Sequence, residues 1–200
     1  FRETAESVNN QAVKNIAGVC RQINALLVHI STNYVFDGFL SDPYTEMHQP
    51  NPQSVYGVSK FNGESAVQSS GCKYMILRTA WVFSEYGSNF VTTMLNLANA
   101  DQEINLVSDR WGSPTNGHDL AKAILISLPR LCRDESSRGI YHYSGKRRAS
   151  WLEFGQELFS LARHFELPVA KRLNAVSFSE CPTRASRPIN GVLDSEKFEV

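Results

Sequence analysis

The sequence predicts an α/β protein built on a doubly wound parallel sheet, with a small lobe toward its C-terminal end. Two observations predict it. Short apolar runs rich in branched residues have the composition of strands buried on both faces, and Ala25-Leu26-Leu27-Val28-His29-Ile30-Ser31 is the clearest of them. Segments of helical period alternate with these runs, and the short links between them imply βα units with helices on both sides of the sheet.

A first helix is expected from about Glu6 to Arg21, where Val8, Ala12, Val13, Ile16, Ala17 and Val19 recur at helical spacing. The strand at 25–31 follows. Gly38, Pro43, Pro50, Asn51 and Pro52 make 37–53 a long loop, and long ordered loops are more often functional than short ones. A helix from Ser54 to Ser69 ends at Gly71, in the usual place for a glycine just past a helix. Tyr74 to Thr79 reads as a second core strand, and Phe90 to Ala98 as an amphipathic helix. A short strand at Ile104 to Val107, a helix from Asp119 to Leu131 and a strand at Ile140 to Tyr143 come next. Trp151 to Phe165 is a long amphipathic helix closed by Leu167-Pro168. From about Lys171 the pattern breaks. The Pro/Arg-rich run Pro182-Thr183-Arg184-Ala185-Ser186-Arg187-Pro188 and a helix start near Asp194 read as part of the lobe rather than as more sheet. The expected division is a single unit, with the sheet in about 1–145 and mainly the lobe in about 146–200.

Composition narrows the function. Of 200 residues, 42% are hydrophobic and 20% charged, which suits a globular chain with a real core. Twenty basic residues balance twenty acidic ones, so the footprint of a nucleic-acid binder is missing. No apolar run approaches the roughly 20 residues of a membrane-spanning helix, and Phe1-Arg2-Glu3-Thr4 does not open a signal peptide. Neither nucleic acid nor a membrane is expected as a partner. Cys20, Cys72, Cys132 and Cys181 lie far apart and form no Cys-x-x-Cys, so they read as reduced thiols of a cytoplasmic protein. The five histidines never fall at metal-ligand spacing, and no metal is expected.

The residues that carry chemistry are Tyr56-Gly57-Val58-Ser59-Lys60. On a helix, a phenol and an ammonium four residues apart share one face. A free phenol has a pKa of about 10, and a nearby cation lowers it toward a working range for proton transfer. The lysine can also hydrogen-bond the ribose of a nicotinamide cofactor. The same spacing equally describes a surface tyrosine beside a solvated lysine. Ser31-Thr32-Asn33 follows directly on the apolar strand, and open α/β sheets bind ligands outside the carboxyl ends of their strands. A hydroxyl there can donate to a substrate carbonyl, or merely cap the strand.

Val28-His29-Ile30-Ser31-Thr32-Asn33-Tyr34-Val35-Phe36-Asp37-Gly38, followed by Tyr56-Gly57-Val58-Ser59-Lys60, resembles the extended short-chain dehydrogenase/reductase superfamily. Within it the chain is similar to the dTDP-4-dehydrorhamnose reductase family. Leu77-Arg78-Thr79-Ala80-Trp81-Val82-Phe83, Gly87-Ser88-Asn89-Phe90, Asp109-Arg110-Trp111-Gly112-Ser113-Pro114-Thr115 and Ala185-Ser186-Arg187-Pro188-Ile189-Asn190 with Leu193-Asp194 extend the resemblance over nearly the whole chain. It implies a Rossmann-like fold and NADPH-dependent reduction of a nucleotide-sugar ketone. NADH is left open as the cofactor, and a homodimer as the assembly. By the resemblance, Thr32 is the hydroxyl of the catalytic set, Tyr56 the general acid and Lys60 its electrostatic partner, with Tyr56 and Lys60 also toward the cofactor. Asn33 is expected beside the sugar and Trp81 against the substrate. Arg187 is expected near the diphosphate, because arginine pairs well with phosphate oxygens. Core packing is the other reading of Trp81, and a surface ion pair that of Arg187; Arg110 shares the latter ambiguity.

The chain departs from the family in two ways. Asn33 stands where Asp is usual, and no G-x-G-x-x-G turn occurs to cradle a pyrophosphate. The chain therefore reads as a fragment trimmed at both ends, with the N-terminal strands of the sheet missing. Two other functions remain in view: a non-catalytic regulatory subunit of the methionine adenosyltransferase type, and a nucleotide-sugar epimerase or dehydratase.

Overall fold

The structure is a computed structural model and describes residues 2–98, 103–181 and 186–199. Phe1, residues 99–102, positions 182–185 of the Pro/Arg-rich run and Val200 lie outside the described residues. In chain order the elements begin with α1 (Arg2–Glu6), a π-helical turn (Ser7–Gln11), α2 (Ala12–Gln22), β1 (Leu26–Thr32), a 3-10 turn (Asn33–Val35), α3 (Val55–Ser69) and β2 (Lys73–Thr79). There follow β3 (Val82–Phe83), α4 (Phe90–Ala98), β4 (Glu103–Val107), β5 (Trp111–Gly112), β6 (Thr115–Asn116) and α5 (Gly117–Arg133). A second 3-10 turn (Glu135–Ser137), β7 (Gly139–His142), β8 (Ala149–Ser150), α6 (Trp151–His164), β9 (Arg172–Val176) and α7 (Glu196–Glu199) complete the chain.

The main sheet runs β1-β2-β7, parallel throughout. Strand periodicity explains why it is covered twice. Met75 and Leu77 of β2 pack with Leu26 and Val28 of β1 against Leu120, Ile124 and Leu131 of α5. The alternate residues, Tyr74 and Ile76 with Leu27, pack against Val13 and Ala17 of α2 and Val67 of α3. Helices therefore lie on both faces, as expected for a doubly wound sheet.

Local signals place the helix ends. Ser54 caps α3, its hydroxyl accepting from the Gly57 amide at 3.0 Å. Beyond the Ser70 cap, Gly71 takes φ +72°, the left-handed conformation that glycine adopts without penalty. Ser150 and Glu153 form a reciprocal capping box at the start of α6.

The C-terminal stretch corrects one expectation. The chain from Lys171 is not free of sheet: β9 pairs in parallel with β4, from Glu103↔Arg172 to Val107↔Val176. Ile104 to Val107, expected as part of the alternating sheet pattern, belongs to this separate two-stranded sheet. A second core forms around it from Met94, Ala98, Ile104, Leu106, Phe159 and Ala162. Arg172-Leu173-Asn174-Ala175-Val176 lacks the apolar density of a core strand. Its conformation comes from pairing with β4 and from packing Leu173 on that core.

Candidate active site

Thr32 closes β1, directly opposite Thr79 at the carboxyl end of β2. Its hydroxyl caps the 3-10 turn that follows, accepting from the Tyr34 amide at 3.2 Å, and donates to Asn33 Oδ1 at 3.3 Å. Tyr56 lies in the first turn of α3. Gly57 lets that turn approach the 3-10 turn that follows β1, because a side chain there would overlap the Tyr34 carbonyl. The Tyr56 ring meets the Tyr34 ring edge-on, with centroids 5.6 Å apart. One helical turn later, Lys60 Nζ donates to the Ile30 carbonyl of β1 at 2.6 Å. The π-helical turn packs on the same helix: Asn9 Nδ2 donates to Ser59 Oγ at 3.0 Å, and that hydroxyl donates to the Tyr56 carbonyl at 2.9 Å.

The electrostatics differ from the sequence-based expectation. Desolvation raises the Tyr56 pKa above its ordinary value, and hydrogen bonding from the Thr32 side chain opposes the rise. Lys60 is not among the causes, and its ammonium is directed to the Ile30 carbonyl. Burial lowers the Lys60 pKa, and the Glu64 carboxylate counters that. Tyr56 is thus held as a neutral phenol at neutral pH, the form that can give up a proton.

Below the three residues, a charged row crosses the sheet. Ser31, Arg78 and His142 are in register on β1, β2 and β7 and face α3. Glu64 of α3 accepts from Ser31 Oγ and pairs with Arg78, whose Nη2 lies 2.6 Å from Oε2 and Nε 3.0 Å from Oε1. Arg78 also sits over the Phe36 ring, 5.1 Å from its centroid. His142 Nδ1 lies 2.9 Å from the Tyr44 carbonyl and Nε2 3.5 Å from Arg78 Nη1. These neighbours assign the neutral tautomer with the proton on Nδ1. Glu64, Arg78 and Asn9 carry no local sequence signal. Only the register of the strands and the π-helical turn bring them to the site.

Two buried histidines make stability depend on pH. Burial, with the Arg78 charge, lowers His142 from 6.5 to about 3, and burial, with the Lys60 charge, lowers His29 to about 4. The unfolded chain therefore binds more protons than the folded one below the ordinary value. Stability is full above it and falls as pH drops through the window down to the folded values. Between pH 7 and pH 5 each histidine is expected to withdraw about 2 kcal/mol. Urea unfolding at both pH values checks this: His142→Gln flattens the dependence, and an unchanged slope in that variant contradicts it.

The remaining expected residues divide. Asn33 is buried, and its amide donates to the Gly191 carbonyl at 2.8 Å. Trp81 follows β2 just past the end of the sheet that carries Thr32. It takes φ +46° and stacks on Trp151, with centroids 3.6 Å apart and planes 14° apart. Arg187 is exposed, and its charge lowers the Tyr34 pKa against the rise that burial causes. Arg110 is held by Asp109 and the Phe178 ring.

A family model described as the RmlD substrate binding domain matches residues 2–200. The chain belongs to this family. It is 40% identical over 197 residues to a dTDP-4-dehydrorhamnose reductase from Sinorhizobium fredii, covering 98% of this chain and 66% of that protein. It thus spans just under two thirds of the length of that curated relative. A crystal structure of a dTDP-4-dehydrorhamnose reductase from Clostridium acetobutylicum superposes with a TM-score of 0.90 at 36% identity, covering 99% of this chain and 67% of the other. The dTDP-4-dehydrorhamnose reductase of Bacillus anthracis, solved in complex with NADP, superposes with a TM-score of 0.87 at 34% identity over 99% and 67% of the two chains. The fold is the Rossmann-like α/β fold expected from the sequence.

Proposed function

We propose that this protein reduces the C4 ketone of dTDP-4-dehydro-L-rhamnose to the alcohol of dTDP-L-rhamnose, with NADPH as reductant. The observation that carries the reading is geometric: Tyr56 and Lys60 stand one turn apart at the start of α3, and Lys60 ties that turn to the Ile30 carbonyl of β1, the strand that Thr32 closes. The 40% identity to a dTDP-4-dehydrorhamnose reductase supports the choice of substrate.

The donors present fit the ribose end of a nicotinamide cofactor. Lys60 uses one bond on the Ile30 carbonyl, and an ammonium carries three donors. Tyr56 and Lys60 are the residues that would hold the cofactor. When bound, it supplies the hydride that attacks C4. As negative charge develops on the ketone oxygen, Tyr56 gives it the phenolic proton and Thr32 stabilises it by hydrogen bonding. Lys60 keeps the ribose in place with the donors that Ile30 leaves free. Arg187 meets the diphosphate; the lowering influence of its charge on the phenol of Tyr34, whose ring packs edge-on against Tyr56, supports this. The small lobe, joined to the sheet end by the Trp81–Trp151 stack, receives the nucleotide-sugar, with Trp81 toward the substrate.

The test is NADPH oxidation by the complete gene product with dTDP-4-dehydro-L-rhamnose, followed by identification of the sugar. Stoichiometric formation of dTDP-L-rhamnose is expected. A product that is only an epimer of the ketone, or no oxidation at all, overturns the reading.

A further inference from the structure

Trp81, just past the carboxyl end of β2, has a backbone that bulky residues seldom adopt, with φ +46°. Its carbonyl accepts from the Thr115 amide at 3.1 Å, which ties the outlier down. A strained residue persists only where its surroundings over-determine it, and such residues gather at ligand sites. Among the described residues no group accepts from the Trp81 indole N–H, and that nitrogen is not buried, so the donor is available to a ligand.

Two residues fix where the indole lies. The Trp151 ring stacks on it, with centroids 3.6 Å apart and planes 14° apart. Gly112 approaches the same ring so closely that a Cβ would overlap it. Gly112 is not among the glycines with positive φ, so space and not conformation demands glycine there. One ribbon delivers both residues: β5 pairs antiparallel with β8, Gly112 opposite Ala149, and β8 runs directly into α6, whose first residue is Trp151. Trp151 is held in turn by Phe90 of α4, at 4.9 Å between centroids, and Phe90 stacks on Phe154 of α6. Trp111, by contrast, has the Arg148 guanidinium over its ring, 4.3 Å from the centroid.

We infer that Trp151 and Gly112 are positioning residues for sugar recognition: the stacked ring and the bare glycine hold the Trp81 indole where its N–H meets the sugar half of the ligand. The sugar half is the one concerned because Trp81 follows Thr79, the register partner of Thr32. That assignment rests on the function proposed above; the stack itself does not.

The complete gene product is tested first without ligand. Two stacked indoles couple their electronic transitions and give an exciton couplet in far-ultraviolet circular dichroism. The couplet is expected to vanish in Trp81→Phe and in Trp151→Leu, with no further loss in the double variant, and to survive Trp111→Phe. Calorimetry with dTDP and with dTDP-L-rhamnose follows. Trp151→Leu and Gly112→Ala are each expected to weaken binding of dTDP-L-rhamnose about tenfold and to leave dTDP within about threefold. Trp151→Phe keeps a flat ring against the indole and is expected to hold both affinities within about threefold of the parent. Gly112→Ala displaces the indole without touching Trp151, so it decides the matter if Trp151→Leu does not fold. Equal losses for dTDP and dTDP-L-rhamnose mark a general loosening of the structure and overturn the inference. An unchanged affinity for dTDP-L-rhamnose in Gly112→Ala, or a parent without the couplet, overturns it as well. A parent that has the couplet but binds neither ligand overturns the proposed function, and the sugar assignment with it.

Discussion

Tyr56→Phe in the complete gene product is expected to lower kcat for NADPH-dependent reduction by about 100-fold or more, within the range attributed to a positioned general acid. The Kd for dTDP-L-rhamnose is expected to stay within about threefold, because the substitution removes one oxygen and leaves the packing of the ring. The edge-on contact with Tyr34, 5.6 Å between centroids, does not involve the hydroxyl. What is lost is the phenolic proton, which a phenol of pKa about 10 carries at neutral pH and which desolvation makes still harder to lose to water. Steady-state kinetics with calorimetry separates the two quantities. An undiminished kcat removes Tyr56 from the acid role. A parallel collapse of binding would make it a structural residue instead.

The largest expected effect on stability is at Arg78. Its guanidinium is 2% exposed and the Glu64 side chain is fully buried, so Arg78→Met leaves a carboxylate inside the protein with only Ser31 for a partner. Removing one member of a buried pair is expected to cost about 3–5 kcal/mol, most of it the uncompensated charge. The companion variant Arg78→Met with Glu64→Gln removes that charge and keeps an acceptor for Ser31. It is expected to recover most of the loss, so the two substitutions should be strongly non-additive in urea unfolding. A single Arg78→Met within about 1 kcal/mol of the parent would show that the pair does not hold α3 to the sheet as its geometry implies.

How much is legible in the sequence depends on how far apart the interacting groups lie. The strand at Leu26–Thr32, the capped start of α3 at Ser54 and its glycine stop at Gly71 are readable because their causes lie within a few residues. The Tyr56–Lys60 spacing is readable for the same reason: one helical turn stacks the two side chains. That spacing does not by itself set the phenol's pKa, because desolvation, which raises it, depends on what packs around the ring. Nor does it show that the Lys60 ammonium donates to the Ile30 carbonyl. The resemblance implies that Asn33 sits beside the sugar; the hydrogen bond from its amide to the Gly191 carbonyl, 158 positions away, is one that no local pattern announces.

Most helices and strands, the α/β class and the side chains suited to acid–base work are legible in the sequence, because periodicity, caps and turn residues act locally. Folding in three dimensions was needed to show that β9 pairs with β4, that Ser31, Arg78 and His142 form one row against Glu64, and that Gly191 near the far end of the chain accepts from Asn33. Those outcomes depend on strand register and close packing. No local pattern encodes them, since a one-residue shift in pairing would send every side chain of the row to the opposite face of the sheet.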